Sequence, residues 1–172
     1  MSKCTSGRNR ELSNFGECFS LARTGDNYYE KRNECIEDME KEGYEYIGGT
    51  TRNVFLMPYG DCVVKMGKRG AGDIFNKREV ERSQKEGFQD AVVLVDEYDT
   101  EYKWITMPTV EDRPNRKTPW DDVKEVKDKL GEGGWVCQDI DRSNIGYIDE
   151  KPVAFDYAEG CKRIENTNSL GL

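Results

Sequence analysis

Residues 135–160, WVCQDIDRSNIGYIDEKPVAFDYAEG, constrain this chain more than any other stretch. Two short apolar runs, 145–148 and 152–155, flank the polar tripeptide Asp149-Glu150-Lys151. That pattern predicts two strands joined by a tight turn, and a hairpin this short brings its two ends close together. Asn144 enters the first strand and Asp156 leaves the second, so both side chains belong at the same open end. An Asn and an Asp presented together offer hard oxygen ligands suited to Mg²⁺, with phosphate oxygens and water completing the shell. Asp139 stands five residues before Asn144, in the pattern D-x-x-x-x-N.

The composition narrows the chemistry. The 172 residues include no histidine. This excludes Ser-His-Asp and Cys-His nucleophilic machinery and His-ligated metals, and a general base has to be Asp, Glu, Lys, Tyr or Cys. Six cysteines are scattered without a C-x-x-C pair, and they read as reduced, mostly buried thiols in a reducing compartment. The net charge of −8 repels phosphate backbones, so direct nucleic-acid binding is not expected. No apolar run approaches the ~18 residues needed to span a bilayer, and the first residues do not read as a signal peptide. A soluble cytoplasmic protein, not associated with a membrane, is the expectation. The length suits one domain with one sizeable core.

Along the chain, residues 1–25 read as a flexible start followed by a short helix or docked segment. Residues 26–42 read as a helix capped by Asp26 and ended by Gly43, with Tyr28, Cys35, Ile36 and Met39 on one side. Three strands follow, at 44–47, 54–57 and 62–66. The first turn carries Gly48-Gly49, and the third strand ends in Val63-Val64-Lys65. By themselves these are a plain hairpin and a strand-end lysine. A helix is expected over 74–86, a continuous apolar strand over 91–95, an acidic turn over 96–101 and a partner strand over 102–107. Residues 112–119 form a Pro/Asn/Arg/Lys-rich linker, and 120–130 a helix with Pro119 at its start. The segment 161–172 is polar and expected to fray.

Taken in order, these pieces resemble the protein-kinase-like fold over about residues 44–160. Asp139 to Asn144 resembles the catalytic loop of that fold, and Asp156-Tyr157-Ala158 resembles its D-F-G triplet. The resemblance implies an α+β fold with an antiparallel N-lobe sheet, a helix and a minimal C-lobe. It divides the chain into an N-terminal extension (1–43), an N-lobe-like part (44–107), a C-lobe-like part (108–160) and a tail (161–172). It further implies that Gly48 and Gly49 cover nucleotide phosphates, that Lys65 holds the α- and β-phosphates, and that Glu79 on the helix pairs with Lys65. Glu81 is a rival on another face of the same helix. Residues 108–111 take the place of the hinge, with Met107 near the gatekeeper region or simply in the core. Asn144 and Asp156 become the Mg²⁺ ligands and Asp139 the catalytic base, with ATP as the phosphoryl donor.

The departures from that family are as specific as the matches. Cys137-Gln138 replaces His-Arg, Tyr157-Ala158 replaces Phe-Gly, and Asp141 stands where protein kinases carry a lysine, with Arg142 beside it. About a dozen residues follow the triplet, too few for an activation segment or a helical substrate subdomain, so neither is expected in residues 159–172. Three readings follow. One is a minimal ATP-dependent phosphotransferase whose acceptor is unknown, supplied by a partner protein or by the chain itself. Another is a degenerate kinase-like interaction module that inhibits or scaffolds a partner, such as a basic nucleic-acid-binding protein. The third is an unrelated α+β domain with chance motifs.

Overall fold

The computed structural model describes residues 4, 7–24, 26–68, 71–111 and 119–164. Residues 112–118 of the expected linker at 112–119 and the end of the tail lie outside the described residues. The chain divides into two compact units, Met1–Glu81 with Leu94–Thr109, and Arg82–Val93 with Val110–Leu172.

The first unit is built on a five-stranded antiparallel sheet in the order β1-β2-β3-β5-β4. Its strands are β1 (Glu45–Gly48), β2 (Arg52–Leu56), β3 (Cys62–Gly67), β4 (Glu97–Tyr98) and β5 (Trp104–Pro108). Side chains alternate between the faces of a strand, so Val64 and Met66 point one way from β3 and Lys65 the other. Val64 and Met66 join Phe55, Met57 and Trp104 in a core completed by Leu12, Phe19, Ile36 and Met39. Those last four come from two helices, α1 (Asn9–Ala22) and α2 (Tyr28–Lys41). Burying each such large apolar side chain contributes on the order of 1.5–3 kcal/mol. The opposite face, with Lys65, is met by α3 (Gly72–Ser83).

In the second unit, α4 (Trp120–Glu132) buries Val123, Val126 and Leu130, a stripe with helical spacing. Strand β6 (Trp135–Cys137) pairs antiparallel with β9 (Cys161–Arg163), and β7 (Ile145–Ile148) with β8 (Lys151–Ala154). The β7–β8 turn places Asp149 and Glu150 at φ 49° and 64°. Two left-handed residues between the strands give the twist that a two-residue hairpin needs.

Several expectations are corrected. The cysteines are not reduced thiols: all six pair, as Cys4–Cys62, Cys18–Cys35 and Cys137–Cys161. Their scatter in sequence hid the pairing, because it is the fold that brings the partners together. Paired cysteines remove the support that free thiols lent to a reducing compartment. Of the short helix or docked segment expected near the N-terminus, the structure shows a helix, α1, longer than expected at 14 residues. Helix α2 is preceded by Asn27 without a side-chain cap bond, so Asp26 does not cap it. Helix α3 runs two residues earlier at its start and three residues shorter at its end than 74–86. Residues 91–95 do not pair with β5. Within the second unit Val92 forms an isolated parallel bridge to Ala154, with Val93 N donating to Ala154 O. Besides β3, β5 pairs with β4, which lies inside the stretch expected to be a turn. The tail begins as strand β9, held by β6, before the described residues end.

Candidate functional site

Lys65, Glu79 and the glycine turn lie in the first unit. Three polar residues spaced three apart, Asp73, Asn76 and Glu79, hold α3 in place. Asp73 accepts a bidentate pair from Arg23, just past the end of α1, at 2.6 and 2.8 Å. Asn76 is fully buried, and its Nδ2 donates to Lys65 O at 3.2 Å and to Tyr102 O at 2.9 Å. Glu79, also fully buried, receives Lys65 Nζ at 3.1 Å on Oε1 and 3.0 Å on Oε2. Glu81 instead lies on an exposed face, 3.8 Å from Lys77.

A second cation completes this group. Arg52 Nη1 lies 2.8 Å from Glu79 Oε2, and the Arg52 side chain is as buried as that of Lys65. Burial by itself would raise the Glu79 carboxyl pKa. The charges of Arg52 and then Lys65, with hydrogen bonds from both, outweigh it and hold the group at about 2. Sequence reading passed over Arg52, because it placed residues 48–53 in a polar turn and began the second strand at Val54. Its signal was strand parity. Arg52 stands two residues before Val54, which lies opposite Lys65, so Arg52 and Lys65 share a face.

Gly48 and Gly49 have φ of 109° and 120°, in the left-handed region. At Gly49 space is decisive too: a Cβ there would lie 2.1 Å from Arg52 O. Lys68 Nζ donates to Gly49 O at 2.9 Å, tying down the far side of the turn.

Asp139, Asn144 and Asp156 lie in the second unit. Asn144 closes a one-turn 3-10 helix, Arg142–Asn144, directly before β7. Its Nδ2 donates to Asp139 O at 3.0 Å, and its backbone O accepts from Phe155 N at 3.0 Å. The hairpin therefore sets Asn144 across from the residue just before Asp156. Asp139 and Asp156 are exposed. Asp139 packs over Gly160, where a Cβ would come within 2.4 Å of its carboxyl carbon. Gln138 N donates to Gly160 O at 3.0 Å, and one residue further out Cys137 and Cys161 are opposite in register and bonded. All three expected polar residues thus fall inside one disulfide-closed loop. Neither Gly160 nor this pairing was picked out from sequence.

The residues that depart from the family pattern have structural work. Asp141 accepts from Ser143 N and Ser143 Oγ at 2.7 and 2.5 Å, capping the 3-10 turn, and these bonds lower its pKa. The Arg142 guanidinium lies 5.3 Å from the Trp120 ring centroid. Tyr157 is buried, and its hydroxyl donates to Val93 O at 2.8 Å. Arg82 Nη1 donates to Tyr157 O and Arg82 Nη2 to Cys161 O.

The donor chemistry fits Mg²⁺. With its Nδ2 committed to Asp139 O, Asn144 has Oδ1 as its oxygen donor, and Asp156 adds a carboxylate. No group of three His, Cys, Asp or Glu capable of holding a metal occurs among the described residues. Two oxygen side chains with phosphates and water are the usual way in which Mg²⁺ is held, rather than an all-protein cage.

The chain has a protein-kinase-like fold. Among solved structures it is similar to WbdD co-crystallised with the kinase inhibitor LY294002, with TM-score 0.50 and 14% identity over 70% of this chain and 33% of that one. It also matches the Legionella pneumophila Lpg2603 kinase bound to IP6 (TM-score 0.45, 17% identity, 73% of this chain and 51% of that one). A further match is the kinase domain of M. tuberculosis PknI (TM-score 0.40, 16% identity, 67% of this chain and 58% of that one). The chain spans about a third of the length of the WbdD structure it matches. No protein-family model and no curated protein matches the sequence. No helix among the described residues is long and apolar enough to cross a membrane.

Proposed function

We propose that the chain binds ATP with Mg²⁺ and transfers the terminal phosphoryl group to an acceptor hydroxyl. The buried Lys65–Glu79 pair, at 3.0 Å on a strand and a helix of a kinase-like sheet, carries this reading. A lysine that is only structural has little reason to be buried, since desolvating an ammonium costs several kcal/mol. One that must meet phosphate does, because charge neutralisation is stronger away from water.

The roles follow from the chemistry of each group. Gly48 and Gly49 present backbone N–H groups to the phosphates, and Lys65 neutralises the α- and β-phosphates. Asn144 and Asp156 would hold Mg²⁺, which would offset charge on the transferring group. Asp139 orients the acceptor hydroxyl and takes its proton. Residues 44–107 then form the phosphate-covering part, and 108–160 the part that carries the base and metal ligands. The three disulfides favour an oxidising compartment over the cytoplasm as the place where the chain acts.

The second reading, an interaction module for a basic partner protein, is favoured by Asp141. A carboxylate there, capping a turn, adds negative charge where the transferred phosphoryl group would be neutralised. The net charge of −8 suits a basic partner.

A calorimetric titration with Mg-ATP, of the wild type against Asp156→Asn, is the test. Saturation by the wild type and a large loss in the variant support the nucleotide site. No binding by either sinks the phosphotransferase and leaves the module.

A further inference from the structure

Glu79 has two cations in contact, where a lysine–glutamate pair needs one. Arg52 and Lys65 both reach Oε2, and all three side chains are buried. Resting on the reading that Lys65 engages nucleotide phosphates, we propose that Arg52 is a positioning residue. It keeps Glu79 paired while Lys65 turns to the phosphates, and it ties the glycine turn to that exchange.

The reason lies in what a buried carboxylate tolerates. Lys65 has three N–H donors, and it contacts both oxygens of Glu79. Each donor given to a phosphate is withdrawn from Glu79. In a site held by one lysine, that withdrawal leaves a buried charge undercompensated, a costly state. Arg52 removes this penalty. Its guanidinium is permanently charged, and its donors sit in a rigid fork. Asp73 and Asn76 hold α3 independently, so Glu79 need not follow Lys65.

Arg52 is also placed to report on the turn. It follows the turn directly, its carbonyl packs against Gly49, and the neighbouring Thr51 O accepts from Lys68 N at 3.3 Å. A side chain anchored on Glu79 thus fixes the base of the segment expected to cover the phosphates. Holding that base still lowers the ordering cost when the turn closes on a ligand.

The experiment has two arms. In the first, Arg52→Met, Arg52→Lys and wild type are titrated with Mg-ATP and with adenosine. Arg52→Met should weaken Mg-ATP by roughly tenfold, the size of one lost charge-assisted contact. Adenosine affinity should stay unchanged, and Arg52→Lys should recover most of the loss. Equal weakening of both ligands marks a merely structural arginine and overturns the proposal, as does wild-type Mg-ATP affinity in Arg52→Met.

The second arm needs no nucleotide. Thermal unfolding of Arg52→Met, Lys65→Met and the double variant forms a cycle. Counter-ions that substitute for one another predict a double variant that loses more than the sum of the singles, with Glu79→Gln restoring part of that loss. Additive losses overturn the substitution. If the wild type binds no Mg-ATP, the nucleotide reading fails, and the cycle still decides whether Arg52 and Lys65 stand in for each other.

Discussion

The two units hold their candidate residues by different physics. In the first, a buried carboxylate gathers two cations, and the helix that carries it is pinned by Arg23–Asp73 and by Asn76. In the second, the two aspartates are exposed and Asn144 is half-buried, and the backbone does the holding: a hairpin, a 3-10 turn and a disulfide-closed loop. Charge can be strong in the first unit because water is excluded there. Exposed carboxylates are screened, so the second unit orders its chain through covalent and backbone constraints. The candidate residues of the first unit should therefore respond to protons, and those of the second to loss of the Cys137–Cys161 bond.

The largest effect that can break this contrast is Glu79→Ala. It leaves Arg52 and Lys65 buried without their shared carboxylate and should cost about 3–5 kcal/mol in denaturant unfolding. Amide hydrogen exchange should rise chiefly in β2, β3 and α3, and an equal rise in the β7–β8 hairpin would refute the division. Next comes the double substitution Cys137→Ser/Cys161→Ser. Opening a loop of this size should cost about 3 kcal/mol on a chain-entropy estimate, with the exchange increase centred on residues 137–161. A thiol reductant also opens Cys4–Cys62 and Cys18–Cys35 in the first unit and should raise exchange in both units, so the double variant is what isolates the loop.

Gly160→Ala is smaller and sharper. Gly160 has φ 65°, and its added methyl would meet the Asp139 carboxylate. A loss of about 1–2 kcal/mol is expected, with a displaced Asp139 carboxyl resonance by NMR. Asp141→Ala removes the cap of the 3-10 turn and should cost about 1 kcal/mol by the same unfolding assay.

The pH dependence sharpens the contrast further. The Glu79 carboxyl is held at about 2, below its ordinary value of 4.5. The folded state therefore binds this proton less readily than the unfolded state. The stabilisation from Glu79 is fully present above about pH 4.5 and is lost as pH falls through about 2. Acid titration of the wild type against Glu79→Gln should show this loss in the wild type only. A matching acid loss in both proteins would place the sensitive carboxylate elsewhere.

Much of the fold was legible because the cues were local. The β7–β8 hairpin followed from two apolar runs around a polar turn, and the end of α2 from Gly43, which takes φ 91°. Residues 91–95 were misjudged because a continuous apolar run says that a segment is buried without saying what it pairs with. Val92 bridges Ala154 in the same unit rather than joining β5. Residues 97–98 looked like an acidic turn, yet Glu97 N and Thr106 Oγ1 are bonded across β4 and β5 at 3.2 Å. Edge pairing overrode composition there.

Of the candidate residues, the sequence by itself determined their kinds, their order and their local placement. The parity of β3 separates Lys65 from Val64 and Met66. The hairpin sets Asn144 across from Phe155, and the want of histidine limits a general base to Asp, Glu, Lys, Tyr or Cys. Tertiary structure decided what those residues touch. Glu79 rather than Glu81 meets Lys65, because the rotation of α3 is set by Arg23–Asp73 and by Asn76. Arg52 becomes a buried ion because β2 and β3 lie in register beneath that helix. Cys137 finds Cys161 across the β6–β9 ladder, at a separation of 24 residues. Periodicity records which side a residue faces, whereas a contact depends on where a distant segment comes to rest.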